Sequence, residues 1–366
     1  MTHASHTAPH PRAMGSALRL MAASATALIP QLAQADDGTL VAWGWNGLGQ
    51  CDVPVTLPRV IALAGGSDHT LAVTDQGAVL AWGWNQARQC NVPPGLSGVM
   101  AVAGGFSHSL ALTADGSVVA WGGNAYGQLS VPVSVLPFTA IAAGAYHSIA
   151  VQASAAIVCW GRNNYRQCDP PAAVVAVSSV SAGLWHSAAA APSGAIVAWG
   201  RNDMGQSAVP TGMPPAAEVA CGFNHTLARA SDGSVRAWGS NAYGQCTVPA
   251  GLGPATAIAA GSDHSLALLA DGRVIAWGQN KFTQCAVPGA VVSVTRIACG
   301  RVHSLAIVEG VPCTADLNGS GTVDGIDLAA LLSAWGQSAG SSADITGDGT
   351  VGGADLTALL AGWGPC

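Results

Sequence analysis

The stretch that decides the fold is GSDHSLALLADGRVIAWGQNKFTQCAVP, residues 261–288. Short apolar runs lie on either side of Asp271-Gly272, a two-residue hairpin signal, and predict two antiparallel strands. The second run ends in Trp-Gly-x-Asn. This motif recurs every 39 residues, at Trp43, Trp82, Trp121, Trp160, Trp199, Trp238 and Trp277. A fixed period of this length is typical of repeat architectures in which each unit is one small supersecondary element.

One repeat unit is too small to bury both faces of its own sheet. Each unit supplies three or four short strands and ends in Val-Pro, where proline ends a strand or lies at an edge because it has no backbone N–H. The units must therefore pack on one another, either in a linear stack or radially, as the blades of a propeller.

The two ends of the repeat array favour a closed ring. The first unit begins midway, at Asp37-Gly38, and the last ends midway, after Gly300-x-x-His303. Together they make one whole unit, whereas a linear stack would need polar capping repeats, which the sequence does not show. We therefore predict a mainly β fold: a seven-bladed β-propeller over residues 36–309, closed by N-terminal and C-terminal half-repeats.

The phrases Trp-Gly-x-Asn-x-x-Gly-Gln and Gly-x-x-His-Ser-Leu-Ala-Leu resemble repeats of the regulator of chromosome condensation type, which form seven-bladed propellers. The short period and the Val-Pro ending are most similar to the secreted bacterial branch that includes beta-lactamase inhibitory protein II. The resemblance implies a propeller face that holds another protein. It does not name the partner, because one fold serves many functions.

A histidine occurs once in every unit and allows two interpretations. A ring of imidazoles could bind a metal or catalyse a reaction, or each could be a building element of its blade. We favour the second, in which the imidazole satisfies backbone groups at blade edges, the repeated Trp fills the space between sheets, and the repeated Asn and Gln bond loop backbone. These histidines are His69, His108, His147, His186, His225, His264 and His303.

Function is expected at positions that vary while the repeat stays fixed, and aromatic residues dominate there. Such residues concentrate binding energy at interfaces, so we predict that they bind a partner on one rim of the ring. The alternative is that they pack between blades. The predicted residues are Phe106, Tyr146, Trp185 and Phe223 before the histidines, and Tyr126, Tyr165, Tyr243 and Phe282 after Trp-Gly-x-Asn.

The C-terminal segment contains a 28-residue duplication with calcium-loop spacing. Glycine stands at loop position 6, Gly321 and Gly349, and oxygen donors stand at positions 1, 3, 5, 7 and 12. We predict two calcium ions, the second bound more weakly because Gly352 has no side chain at position 9. The predicted ligands are Asp316, Asn318, Ser320, Thr322, Asp324 and Asp327 in the first loop, and Asp344, Thr346, Asp348, Thr350 and Asp355 in the second.

Each calcium loop precedes one short amphipathic helix, and this pattern resembles a type I dockerin. The resemblance covers the tail, residues 310–366, and implies docking onto a cohesin-like module. In that family the partner surface includes loop positions 10 and 11, here Gly325 and Ile326, then Gly353 and Ala354. The alternative is a self-contained structural calcium module.

Residues 1–35 have the features of a signal peptide. An apolar stretch precedes Ala33-Gln34-Ala35, a small-x-small cleavage signature, although a short buried helix is the alternative. Export to the extracellular space or cell surface would let cysteines pair, and we predict a Cys313–Cys366 disulfide that ties the ends of the tail. We expect buried free thiols at Cys159, Cys221 and Cys299.

Composition removes whole classes of function. Charged residues are only 9% of the chain, the net charge is -6, and no basic face is available to hold a phosphate backbone, so we expect no nucleic-acid partner. No apolar run after residue 35 is long enough to span a membrane. We expect a monomeric, secreted, non-catalytic interaction protein. The alternative is an extracellular enzyme that degrades polysaccharides, although no nucleophile elbow or metal triad is visible.

Overall fold

Seven three-stranded antiparallel sheets form the larger part of the molecule, as predicted. The computed structural model describes residues 38–55, 57–172, 174, 176–289, 291–309, 315, 317–318, 322–337, 341–346, 348–361 and 363–365. In each of the first six blades, three consecutive strands form the sheet, and we call them inner, middle and outer in chain order. Hydrophobic runs and Asp-Gly or similar turns set their limits.

The strand bounds repeat closely from blade to blade. The inner strands are β2 (Val60–Gly65), β5 (Val99–Gly104), β8 (Phe138–Ala143), β11 (Ser179–Ala182), β14 (Ala216–Cys221), β17 (Ala255–Ala260) and β20 (Val294–Cys299). The middle strands are β3 (His69–Thr74), β6 (His108–Thr113), β9 (His147–Gln152), β12 (His186–Ala190), β15 (His225–Ala230), β18 (His264–Leu269) and β21 (His303–Glu309). The outer strands are β4 (Val79–Gly83), β7 (Val118–Gly122), β10 (Ile157–Gly161), β13 (Ile196–Gly200), β16 (Val235–Gly239), β19 (Val274–Gly278) and β1 (Gly38–Gly44).

The seventh blade is assembled from both halves of the array, as predicted. Its strand order is β1-β21-β20, and β1 pairs with β21 from Gly38 opposite Glu309 to Gly44 opposite His303. The inner strand β20 also contacts β2 of the first blade. The ring is therefore closed.

The inner strands line a central channel, whose wall includes Gly65, Gly104 and Phe106, and a circle of backbone hydrogen bonds runs around its mouth. In each blade, the residue two positions before the histidine donates its N–H to a carbonyl of the next blade, for example Phe106 to Ala145 at 3.1 Å. The last link, from Arg301 N–H to Ser67 O at 3.1 Å, joins the seventh blade to the first. The circle fixes the loops at this mouth as one continuous rim.

The propeller core lies between blades. Each cluster of buried side chains takes members from two neighbouring sheets, as where Leu110 of one blade packs with Ile141 and Trp160 of the next. A blade on its own could not bury these side chains, which is why the ring folds as a unit.

The tail folds around two short helices. These are α1 (Gly325–Ser333) and α2 (Gly353–Ala361), and the strand β22 (Thr322–Val323) pairs antiparallel with β23 (Gly364–Pro365) near the end of the chain. Leu331 and Leu359 are fully buried in a small core of the tail. Among the described residues, no helix has the length and apolar character needed to cross a bilayer.

Candidate functional site

The repeated polar residues form one hydrogen-bonded layer that links every blade to the next. In one link, the hydroxyl of Ser187 donates to Gln167 O at 2.9 Å, and Trp199 Nε1 donates to the same carbonyl at 2.8 Å. His147 Nε2, one blade earlier, lies 3.0 Å from Ser187 Oγ. The same link recurs for each of the seven histidines, with Thr70 or Thr226 in place of Ser in two blades.

This layer fixes the state of the imidazoles. Because the Ser187 hydroxyl proton is used on Gln167 O, the hydroxyl oxygen accepts from Nε2–H of His147, which defines the tautomer. Burial lowers the pKa of His147 to about 4, so the ring is neutral at pH 7. The edge of the imidazole packs on Gly144, where an added Cβ would lie 2.2 Å from Cε1.

The structure confirms that the histidines are building elements, with one correction to their partner. They were expected to satisfy backbone groups, but Nε2 bonds a side-chain hydroxyl of the next blade, which then reaches the backbone. The repeated Gln and Asn behave as predicted. Gln167 Oε1 accepts from Tyr165 N at 2.9 Å and Asn163 Oδ1 accepts from Cys168 N at 2.9 Å, and these bonds recur in every blade.

One cysteine differs from the prediction. Cys159 was expected to be a free thiol, but it forms a disulfide with Cys168. The pair joins the middle of strand β10 to the loop that follows it. The position of Cys159 is Ala in the other six blades, so no periodic signal marked it. Cys221 is a buried free thiol, as predicted, whereas Cys299 is free but only partly buried.

The loops before the histidines and the loops after Trp-Gly-x-Asn lie on the same rim. In each blade, the second residue after the repeated Trp donates its N–H to the residue just before the histidine, as from Arg162 to Tyr146 O at 2.9 Å. The Asp-Gly turns between middle and outer strands lie at the opposite ends of the strands. The variable positions therefore share one face of the ring.

Five of the predicted partner-binding residues form one cluster, which we call the aromatic arc: Phe106, Tyr126, Tyr146, Tyr165 and Trp185. The Tyr146 ring stacks between Phe106 and Trp185, with centroid distances of 5.4 and 5.1 Å. Tyr126 meets Tyr146 edge to face at 5.1 Å, and Tyr165 lies 5.8 Å from Trp185. Tyr126 and Tyr165 are exposed, and the other three are half-buried.

The remaining three predicted residues lie outside the arc. Phe282 contacts Trp45 at 6.2 Å between ring centroids, in the sixth and seventh blades. Phe223 is half-buried at the channel mouth, and Tyr243 is exposed. The eight residues therefore share a rim but do not form one surface.

The sequence did not single out Arg162, a cation of this rim. Arg162 lies over Tyr126 at 4.6 Å and over Trp185 at 4.3 Å, while Arg201 lies over Tyr165 at 5.3 Å. Two further rings were also missed, Trp45 and Trp84. The x of Trp-Gly-x-Asn is the one variable position inside the motif, and it is occupied by Trp45, Trp84, Arg162 and Arg201. The variability of this position is the sequence signal that marks these four residues.

The second tail loop gathers three carboxylates. Asp344, Asp348 and Asp355 each place one oxygen within 4.8 Å of the other two. Gly349, at the sharp turn, has a φ of +95°. Hard oxygen donors around a glycine turn fit calcium, so these residues would hold the ion.

The carboxylates at loop position 12 also organise their loops. Asp355 is buried and accepts from Thr346 N at 2.9 Å and from Gly352 N at 2.7 Å, and the Thr346 bond lowers its pKa. Thr350 donates its N–H to Asp348 Oδ1 at 3.0 Å. With these hydrogen bonds made, the carboxylates of Asp348 and Asp355 still have oxygen lone pairs available to bind an ion.

The first loop uses the same device. Asp327 is buried and accepts from Leu317, Asn318 and Asp324 N–H groups, and the Asp324 bond lowers its pKa. Asp324 also accepts from Ile326 N at 2.7 Å and so caps helix α1. The side chain predicted at position 9 is therefore a helix cap as well.

Several predictions fall outside the described residues. The backbone of Thr322 lies in β22, but its side chain is not described. The predictions that lie entirely outside are the signal peptide at 1–35, the ligands Asp316 and Ser320, and the Cys313–Cys366 disulfide.

Comparison with protein families agrees with both parts of the fold. The description "Regulator of chromosome condensation (RCC1) repeat" matches residues 60–89, 100–128, 138–167, 177–206, 216–245 and 255–284, and "Dockerin type I domain" matches residues 314–361. The chain combines six matched RCC1 repeats with a type I dockerin domain. The seventh blade escapes the repeat match because its strands come from the two ends of the array.

Solved structures, among them RCC1-like propellers, share the fold. Prp20p from Saccharomyces cerevisiae matches with a TM-score of 0.66 and 17% identity, over 76% of this chain and 93% of that one. Human WBSCR16 gives a TM-score of 0.64 and 16% identity, over 75% and 100%. The receptor kinase CR4 ectodomain of Physcomitrella patens gives 0.56 and 22%, over 66% and 68%. No curated protein sequence matches at a significant level.

An RCC1-type propeller joined to a dockerin has the organisation of an interaction or scaffold protein. The dockerin implies a cohesin-type protein partner, and dockerins generally bind calcium. Identities this low transfer only the fold, so the propeller's own partner must be argued from its surface.

Proposed function

We propose that this chain is a secreted, monomeric, non-catalytic interaction protein of three parts. Residues 1–35 export it, the propeller of residues 36–309 holds a protein or glycan on its rim, and the tail of residues 310–366 docks on a cohesin-like module. Two calcium ions hold the tail loops in their docking conformation. The aromatic arc is the observation that carries the proposal, because it is a large cluster of partly exposed rings on an otherwise repetitive frame.

The tail's exposed apolar residues support docking. Leu332 and Leu360 are each 52% exposed, and Trp335 and Trp363 are 47% and 50% exposed. Each pair is separated by 28 residues, so each half of the duplication presents one Leu and one Trp. Ile326, at loop position 11, is 65% exposed. Apolar side chains this exposed favour a covering partner over a purely structural calcium module.

Catalysis by the two acid-histidine doublets of the propeller is disfavoured. His69 and His264 are buried in the inter-blade layer, so neither imidazole reaches the rim. Asp68 forms an ion pair with Arg301 at 2.7 Å, and Asp263 accepts from Gln245 at 3.3 Å. We therefore place polysaccharide hydrolysis second, and release of reducing sugar from polysaccharide by the full chain would reverse this order.

A binding experiment with the full chain tests the docking part. A panel of purified type I cohesin modules is immobilised, and the chain is applied with calcium or with EGTA. We expect capture only with calcium, and weaker capture after the double substitution Trp335→Ala and Trp363→Ala. The matched control is Val133→Ala and Val135→Ala, which removes two exposed apolar side chains of the propeller. Capture that survives EGTA, or no capture by any module, would contradict docking.

A second experiment tests the rim. Binding of the full chain to peptide and glycan arrays is compared with binding of Tyr146→Ala and Trp185→Ala variants. We expect these variants to lose array binding while they keep the far-UV and near-UV circular dichroism of the folded ring. Loss of the fold would instead support packing between blades as their role.

A further inference from the structure

One cation beside the aromatic arc has no anion of its own among the described residues. Three arginines lie against aromatic rings on this rim: Arg162, Arg201 and Arg301. Arg201 is paired with Asp203, and Arg301 is paired with Asp68. In the part of the chain that the structure describes, Arg162 has no carboxylate within 4 Å, and its buried Nε has no hydrogen-bond acceptor.

This unpaired guanidinium lies at the centre of the arc. It lies over Tyr126 and Trp185, and Tyr146 lies at 5.9 Å. A guanidinium held on aromatic rings keeps its planar fork of donors in a fixed orientation, and that fork matches a carboxylate. The surface therefore offers a preoriented site for one anionic group, surrounded by apolar area.

The rings of the arc suit a protein better than a sugar. Tyr146 has a ring stacked on each face, with interplanar angles of 26° and 22°, and Trp185 is contacted by both Tyr146 and Arg162. A pyranose packs its C–H groups on an open ring face, and these faces are already covered. Tyr126 and Tyr165 are the exposed rings of the arc, and Arg162 beside them is half-buried. Tyrosine and arginine side chains grouped in this way are typical of protein interface hot spots.

The loop that carries Arg162 is also the only rim loop in the described residues with a covalent tie. The Cys159–Cys168 disulfide encloses Arg162 and Tyr165. The equivalent loops of the other blades lack it, although Asn and Gln bonds hold them too. A loop with fewer free conformations loses less entropy on binding.

We propose that the aromatic arc binds a protein segment that presents a carboxylate, from Asp or Glu, to Arg162 beside an apolar side chain. This inference rests on the proposed role of the rim and adds the chemistry of its partner. The Arg162 fork receives the carboxylate, and the edges of Tyr126, Tyr165 and Trp185 receive the apolar neighbour.

Peptide selection on the full-length chain tests this proposal. A random 12-residue peptide library displayed on phage is panned on the wild type, and the enriched peptides are synthesised, each with a partner in which Asp or Glu is replaced by Asn or Gln. Affinities are measured for the wild type, for Arg162→Gln and for Arg273→Gln. Arg273 is exposed, belongs to an Asp-Gly turn on the opposite face and is paired with Asp271, so it serves as the control.

We expect enriched peptides to share an acidic residue next to an aromatic or aliphatic one. Affinity should fall at least tenfold in Arg162→Gln and equally with the Asn or Gln peptide, and combining the two changes should add no further loss. Arg273→Gln should bind as the wild type does. Peptides without an acidic residue, affinities unaffected by Arg162→Gln, or the absence of any arc-binding peptide would overturn the inference.

Two results separate this inference from the proposed function. Peptides whose binding is lost in Phe282→Ala, but not in Arg162→Gln, would keep the rim as a binding face and refute the role of the arc. Binding of polygalacturonate through Arg162, without acidic peptides, would refute a protein partner while the rim still binds a ligand.

Discussion

The propeller and the tail are both built from repeats, yet they use their repeated polar side chains in opposite ways. In the propeller, each buried histidine is neutral and hydrogen-bonded to the next blade. In the tail, the carboxylates of Asp344, Asp348 and Asp355 converge within 4.8 Å, and no salt bridge joins any of them to a basic side chain in the described residues. Repetition of a polar side chain does not show whether that side chain stabilises the fold or binds a ligand. Charge without a neutralising partner indicates a ligand site.

The largest expected effect is the pH dependence of stability, which should differ between the propeller and the tail. The pKa of His147 in the folded chain is about 4, below the 6.5 of an unfolded histidine, so the unfolded state binds more protons between these values. The contribution of each histidine to the free energy of unfolding is full above pH 6.5. It is lost as pH falls through this window, by about 1.4 kcal/mol per pH unit for each histidine that stays neutral.

Urea unfolding followed by tryptophan fluorescence from pH 7.5 to 4 measures this loss. The hydrogen-bonded carboxylates Asp327 and Asp355 have lowered pKa values, so their contribution is full above 3.8 and is lost only at lower pH. A propeller equally stable at pH 7 and pH 4.5 would contradict the histidine layer.

The contact between glycine and imidazole gives the next largest effect. Gly144→Ala places a Cβ 2.2 Å from His147 Cε1, so we expect a loss of about 2 to 4 kcal/mol in the free energy of unfolding. Gly253→Ala is the matched control, because its Cβ meets no atom within 4 Å. Equal unfolding midpoints of the two variants would contradict the packing described here.

Removing the propeller disulfide should have a smaller effect. Cys159→Ala opens a short loop, and the chain-entropy model gives a loss of about 2.5 kcal/mol. Cys90→Ser is the control, because Cys90 donates to Trp84 O at 3.3 Å and Ser207 makes the equivalent bond at 2.8 Å. Thermal unfolding of both variants under non-reducing conditions makes the comparison, and a Cys159→Ala variant as stable as the wild type would show that the bond contributes nothing.

The smallest expected effect is on calcium affinity. Asp348 is exposed and makes only local bonds, so Asp348→Asn should keep the tail folded but weaken one calcium site about tenfold, about 1.4 kcal/mol. Isothermal titration of the full chain measures this, with Asp271→Asn in a propeller turn as the control. Unchanged affinity in Asp348→Asn would remove that residue from the site.

The fold was predictable because its information is periodic. Trp277 and its six equivalents fix the blade length, and the half-repeats at Gly38 and His303 indicate closure from the sequence alone. The repeated His, Gln and Asn were assigned correctly for the same reason, since a residue needed in every blade serves the frame.

The chemistry of the rim was only partly predictable because it depends on contacts between blades. Nothing in the sequence shows that Tyr146 would stack between rings from its two neighbours, or that Arg162 would lie on Trp185. The disulfide was missed because Cys159 breaks the repeat pattern once. Pairings at single, non-repeated positions leave no periodic signal in the sequence.

The most direct test of the structural role of the histidine layer is the tautomer and pKa of each imidazole. Long-range ¹⁵N–¹H correlation spectra of the full chain, recorded from pH 7.5 to 5, distinguish Nε2–H from Nδ1–H rings. We predict seven neutral Nε2–H imidazoles that do not titrate in this range and do not shift when Zn²⁺ is added. Imidazoles protonated at Nδ1, titration near pH 6.5, or Zn²⁺-dependent shifts at these seven positions would contradict the account. They would show that the seven histidines form a binding or catalytic site and not a structural layer.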